Sequence, residues 1–173
     1  RDSLRVDLEA TLAEGDTFLA SVASLVHAEE AFLRDCGVAV VVADIPAIPL
    51  VAAANLGLPS IAVGNFGWDY IYEEHAEHDT RWAPLVSHFR EGYARADVLL
   101  RLPFAEPMRP FRARVDLPLV ATPGVNRRAE LAERYGLPMD DVWALLSFTS
   151  IEWGARALEK VAATRGISFL SLP

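Results

Sequence analysis

The chain has 173 residues, 52% of them hydrophobic and 23% charged, with a formal net charge of −8. That balance excludes a nucleic-acid backbone as partner, since such binders carry a basic stripe, whereas here Arg127-Arg128 is the only basic doublet and Lys160 the only lysine. No apolar run approaches the roughly 20 residues of a bilayer span, and the lone Cys36 excludes an intrachain disulfide or a cysteine metal cluster.

Arg1-Asp2-Ser3 leads directly into a helical pattern at Leu4, Leu8 and Leu12, with Asp2 or Ser3 as the cap. Gly15-Asp16 is expected to interrupt it. A second helix is expected through Leu19, Val22, Leu25, Val26, Phe32 and Leu33, closed by Gly37. Val38–Ala43 follows as a strand without alternation, the pattern of a parallel strand buried on both faces. Pro46 or Pro49 can open the next helix, about Ile48 to Leu56. Gly57-Leu58-Pro59 ends that helix, and Ser60–Val63 is the second strand of a βαβ unit.

A polar turn at Gly64–Asp69 precedes helices expected at about 70–77 and 82–94. Ala96–Leu100 reads as a third parallel strand. Leu102 to Pro118 holds Pro103, Pro107, Pro110 and Pro118 without a clear period, so it reads as loop or edge. Leu119–Ala121 is a short candidate strand. Asn126 is placed to cap a helix at about 127–135, closed by Gly136. A strand at 142–148, a helix at 151–164 and a strand at 167–172 then form another βαβ unit. The fold expected is α/β, a Rossmann-like parallel sheet with helices on both faces. The last βαβ unit reads as the opening of a second domain, and the sequence as a piece of something longer.

In an open α/β sheet, ligands bind beyond the carboxyl ends of the strands. Asp44 stands at one such end. It can bond a hydroxyl or act as a base, or it can cap the next helix. Asn65, Phe66, Trp68 and Asp69 stand at another. Two polar side chains and two aromatics in five residues suit a sugar, whose hydroxyls take planar polar partners and whose ring stacks on an indole. The same aromatics can instead pack into the core, with Asn65 or Asp69 capping a helix. Gly64 and Gly67 permit close backbone approach. His75 and His78 share a helix face, but no third ligand accompanies them, so no metal is assigned. His27, His88 and Cys36 read as structural. Ser147 and Thr149, between a strand and a helix, could cradle a phosphate or simply cap the helix.

Three stretches carry a resemblance: Val42-Ala-Asp-Ile-Pro46 with Ala52-Ala-Ala54, Gly57-Leu-Pro-Ser60, and Asn65-Phe-Gly-Trp-Asp-Tyr-Ile-Tyr72. Through them the chain resembles glycosyltransferase-like proteins of the two-Rossmann-domain (GT-B) superfamily, which also holds the UDP-GlcNAc 2-epimerases. More narrowly it is similar to the N-terminal glycosyltransferase-like region of L-arabinokinases. The resemblance implies that residues 1–118 are part of an N-terminal, acceptor-side domain, and that 119–173 are a linker and the start of a donor-side domain. It implies transfer of a sugar from a nucleotide-sugar to a sugar or glycosylated acceptor in the cytoplasm, with no separate cofactor. Asp44 would be the base, Asn65, Phe66, Trp68 and Asp69 the substrate wall, and Ser147 and Thr149 the donor contacts. A non-catalytic sugar-binding or regulatory domain attached to a sugar kinase, and a nucleotide-sugar epimerase, are the alternatives. Thr149-Ser150 replaces the glycines that such proteins often carry at the first donor-side turn.

Overall fold

The computed structural model describes residues 6–147 and 155–171. The chain divides into two compact units, with the boundary between Ala121 and Thr122. The first is an α/β unit built on four parallel strands in the order β1-β2-β3-β4. These are β1 (Val41–Ala43), β2 (Ser60–Gly64), β3 (Val98–Arg101) and β4 (Arg114–Asp116). The helices are α1 (Leu8–Asp35), α2 (Ala47–Leu56), α3 (Trp68–Ala76) and α4 (Ala83–Tyr93), with a 3-10 turn at Thr80–Trp82.

α1 is one helix of 28 residues, and the break expected at Gly15-Asp16 does not occur. Asp7 begins it, accepting from the Ala10 N–H at 3.1 Å. Gly15 is there for space. A Cβ on it would lie 2.4 Å from Leu85 Cδ1, on α4. A glycine within a helix costs about 1 kcal/mol against alanine, and here the close approach of two helices offsets that cost.

α2 is rich in alanine, and its Ala52 and Ala53 are fully buried. Small side chains let it lie close to its neighbours, and a Cβ on Gly92 of α4 would sit 2.7 Å from Ala47 Cβ. Gly57, at a φ of +67°, closes α2 in the left-handed conformation that glycine adopts without strain.

β1 is shorter than expected and alternates. Val41 and Ala43 are buried, while Val42 between them is 63% exposed. The continuous apolar run is therefore not buried on both faces of this strand. Val41 N–H reaches Pro59 O at 2.9 Å, and Val42 aligns with Ile61, which sets the register with β2. β4 falls at 114–116, inside the proline-rich stretch read as loop or edge, and is an edge strand of the sheet, while 119–121 is not a strand. Arg101 explains the placement in part. Its guanidinium bonds both carboxylate oxygens of Asp116, at 2.6 and 3.0 Å, across the β3–β4 pair. The core gathers between sheet and helices around Leu50, Ala62, Tyr93, Leu99 and Met108.

The second unit holds α5 (Arg128–Tyr135), β5 (Val142–Leu146), α6 (Ala155–Ala162) and β6 (Ile167–Ser171), with β5 and β6 parallel over five aligned pairs. Asn126 Oδ1 accepts from Arg128 N–H at 3.0 Å at the start of α5. Arg128 stacks 4.1 Å over Trp143 and donates to the carbonyls of Met139 and Asp141, tying α5 to the entry of β5. Among the described residues no helix is long and apolar enough to cross a membrane.

Candidate functional site

β1, β2 and β3 run parallel, so their carboxyl ends share one edge of the sheet, and three segments follow them: 44–46, 65–67 and 102–110. Backbone bonds tie the third segment to the end of β2 and to the second segment. Leu102 N–H donates to Gly64 O, and Glu106 N–H donates to Asn65 O, both at 2.9 Å. Asn65 thus positions Glu106 through its carbonyl. Ile45 is held at a φ of +68° and is buried. A β-branched residue adopts that conformation only under compensation from its surroundings, and such outliers cluster at functional sites. The compensation comes from two neighbours. Gly64 leaves room, since a Cβ there would lie 2.3 Å from Ile45 Cδ1. Tyr93 donates its hydroxyl to Ile45 O at 3.0 Å.

α3 begins at Trp68, earlier than the sequence pattern indicates, so Asp69 lies in its first turn. Its carboxylate meets the positive end of the helix dipole there. Asp69 is 4% exposed. Its Oδ2 faces Arg90 Nε at 3.5 Å, while its Oδ1 is buried without a hydrogen-bond partner. Burial pushes the Asp69 carboxyl up. The Arg90 guanidinium and the N–H groups of Tyr70 and Asp69 pull against that and do not overcome it. Gly67 makes the arrangement possible, because a Cβ on it would sit 2.4 Å from Asp69 Oδ1.

Arg90 also binds Glu73 at 2.5 Å. Glu106 uses Oε2 to accept from Met108 N–H at 2.5 Å, and its Oε1 is buried and unpartnered. Burial raises the Glu106 carboxyl, and the charge of Asp69 raises it further. Asp69, Glu73, Arg90, Glu106 and Arg109 line a cavity of about 530 Å³, with Tyr70, Pro107 and Pro110 as its flatter walls. Beside one another, a carboxylate accepts from one hydroxyl and a guanidinium donates to the next, the pattern that a vicinal diol presents.

Of the expected site residues, Asp69 alone lines this cavity. Asn65 reaches it through the backbone. Phe66 and Trp68 are 38% and 39% exposed and meet edge to face at 5.6 Å. Trp68 also stacks on Tyr72, and Tyr72 on Trp82, so the indole is partly a packing element. Asp44 is exposed at the end of β1, and α2 begins at Ala47, after Pro46, without a side-chain cap, so Asp44 does not fill the capping role. Ser147 is exposed at the end of β5 in the second unit, and Thr149 lies outside the described residues. His75 packs against Trp82 with ring centres 4.9 Å apart. Among the described residues no three His, Cys, Asp or Glu side chains converge as a metal site.

Sequence reasoning missed Glu73, Arg90, Glu106 and Arg109. Glu73 and Arg90 are 17 positions apart, and only the packing of α3 on α4 joins them.

A sequence comparison bears on this cavity. Over 151 residues, 85% of this chain, the sequence is 32% identical to L-arabinokinase from Arabidopsis thaliana. The chain is related to a segment of that protein. It spans 14% of the length of L-arabinokinase. No protein-family model matches the chain, and no solved structure matches it.

Proposed function

We propose that the unit at 7–121 is a sugar-binding module of a sugar-kinase-related protein, with a free monosaccharide held in the cavity at Asp69. One observation carries this reading. A nearly fully buried carboxylate with an unpartnered oxygen lies beside an arginine in an open cavity. Buried polar atoms are normally satisfied, and an orphan in a native structure calls for a missing partner. Sugar hydroxyls are such partners, and the relation to L-arabinokinase supports that class. Tyr70 and Pro107 offer apolar faces to the C–H side of a ring. Calorimetric titration with L-arabinose and a panel of other pentoses and hexoses tests it. Asp69→Asn is expected to weaken binding by about tenfold or more, the value of a charge-assisted hydrogen bond. An intact chain that binds no monosaccharide would sink the reading.

A second reading, glycosyl transfer within a GT-B arrangement, draws on the parallel β5–α6–β6 unit and the exposed Ser147 at the end of β5. In it Asp44 is the base, Asn65, Phe66, Trp68 and Asp69 face the acceptor, and Ser147 and Thr149 meet the phosphates of a nucleotide-sugar in the cytoplasm. Release of UDP from a UDP-sugar in the presence of an acceptor supports transfer, and an altered sugar with no UDP released supports epimerisation. Failure to bind any UDP-, GDP- or dTDP-sugar removes both.

A further inference from the structure

We propose that the cavity meets its ligand with Glu106 as a neutral acid and Asp69 as an ionised acceptor, so that a single ligand hydroxyl accepts from one and donates to the other. This rests on the sugar-binding reading and specifies the protonation state that the site requires.

The argument begins with four carboxyl oxygens. Glu106 Oε2 is occupied by Met108 N–H, and Asp69 Oδ2 faces Arg90. Glu106 Oε1 and Asp69 Oδ1 are both buried and both unpartnered. Both groups line the same cavity, and the missing Cβ of Gly67 makes room for Asp69 Oδ1. Gly67 N–H lies near enough to Glu106 to favour its ionised form slightly, without reaching hydrogen-bond geometry on Oε1. Asp69 is buried and Glu106 half-buried on the wall of one cavity, and the charge of Asp69 opposes ionisation of Glu106, so one of the two retains a proton.

The surroundings decide which one. Asp69 has the guanidinium of Arg90 from α4 and two N–H groups at the start of α3, all favouring its charge. Glu73, on α3, shares that guanidinium and draws on its charge. Glu106 feels the charges of Arg109 and Arg101 but forms no ion pair with either among the described residues, and Asp69 opposes its ionisation. Half-buried Tyr72 of α3 and buried Tyr93 of α4 are phenols that burial keeps neutral. The proton therefore belongs on Glu106. Placed on Oε1, it turns an orphan acceptor into a donor and leaves Oε2 to accept from Met108 as a carbonyl oxygen does. A hydroxyl group, both donor and acceptor, fits between that acid and Asp69. An ether or a phosphate oxygen accepts only and would leave Asp69 Oδ1 unsatisfied.

The test reads protonation and binding separately in the full chain. With ¹³C-labelled carboxyl groups, Glu106 is expected to titrate above Asp69 and above the ordinary glutamate value of 4.5. Ionisation of Glu106 at or below that value overturns the proposal. L-Arabinose affinity, followed by calorimetry over the same pH series, is expected to fall about tenfold per pH unit above the Glu106 midpoint. Glu106→Gln keeps a donor that cannot ionise and is expected to bind without that pH dependence. Binding with a flat profile in the unmodified chain overturns this proposal while sparing the sugar reading. Absence of binding by every sugar at every pH overturns the sugar reading and the ligand half of this proposal together.

Discussion

Tyr93 donates its hydroxyl to the carbonyl of Ile45 at 3.0 Å and accepts from the Trp68 N–H at 3.2 Å. One phenol oxygen, fully buried, thus joins the strained residue after β1 to the first residue of the helix that carries Asp69. Its ring stacks on Phe111, with centres 5.0 Å apart, and burial holds its pKa above the ordinary tyrosine value. Tyr93 connects the segment at the end of β1 to the helix that carries Asp69.

Tyr93→Phe keeps the ring and removes both bonds. It leaves the Ile45 carbonyl without its donor and the Trp68 N–H without its acceptor. The expected loss is about 2 kcal/mol, the scale for orphaning buried polar groups. Urea denaturation of the variant against the parent measures it. An unchanged midpoint would show that the pair contributes nothing net.

Arg90→Ala strands Asp69 as a buried carboxylate. The expected destabilisation is about 2 kcal/mol, below the range for fully buried pairs because the Arg90 side chain is 44% exposed and its charge is screened. Asp69→Asn in the same background removes the charge and is expected to recover part of the loss. A double variant no more stable than Arg90→Ala alone would mean that the buried charge is not the cause.

His88 gives a pH signature. Its Nε2 is buried without a partner, and its ring lies against Phe18 and Phe89 at 5.3 and 5.1 Å. Burial lowers its pKa from 6.5, with Glu91 pulling the other way. The unfolded chain therefore binds a proton that the folded chain refuses. His88 contributes its full stability above 6.5, and that contribution falls as pH drops from 6.5 to the lowered folded value. Asp69 and Glu106, with raised values, act in the opposite sense: the stability they contribute while protonated is lost as pH rises from the ordinary carboxylate range through their folded pKa. Comparing denaturation of the parent with His88→Phe at pH 5 and pH 7.5 isolates the histidine. The parent is expected to lose more on acidification than the variant, and equal losses would rule out this role for His88.

The elements were legible wherever a local pattern produced them. Helix periods, the Gly57 stop and the runs at β1 and β2 all act over a few residues. Errors came where a distant contact overrode the local signal. Gly15 looks like a breaker until Leu85 is seen to need its space. The stretch that holds β4 reads as either loop or edge until β3 supplies a partner and Arg101 a counter-charge that make it an edge strand. Val42 looks buried because its neighbours are apolar, yet it faces outward.

The sequence by itself determined an α/β chain whose polar clusters follow its strands, and it named Asp69 as one of four residues, with Asn65, Phe66 and Trp68, in one of those clusters. Only the tertiary structure decided what Asp69 meets. Arg90 arrives from α4 and Glu106 from a loop held by the Asn65 carbonyl, contacts that no sequence spacing encodes. The physical reason is that a buried charge is tolerable only with partners, and those partners are recruited across space by helix packing and strand order rather than along the chain.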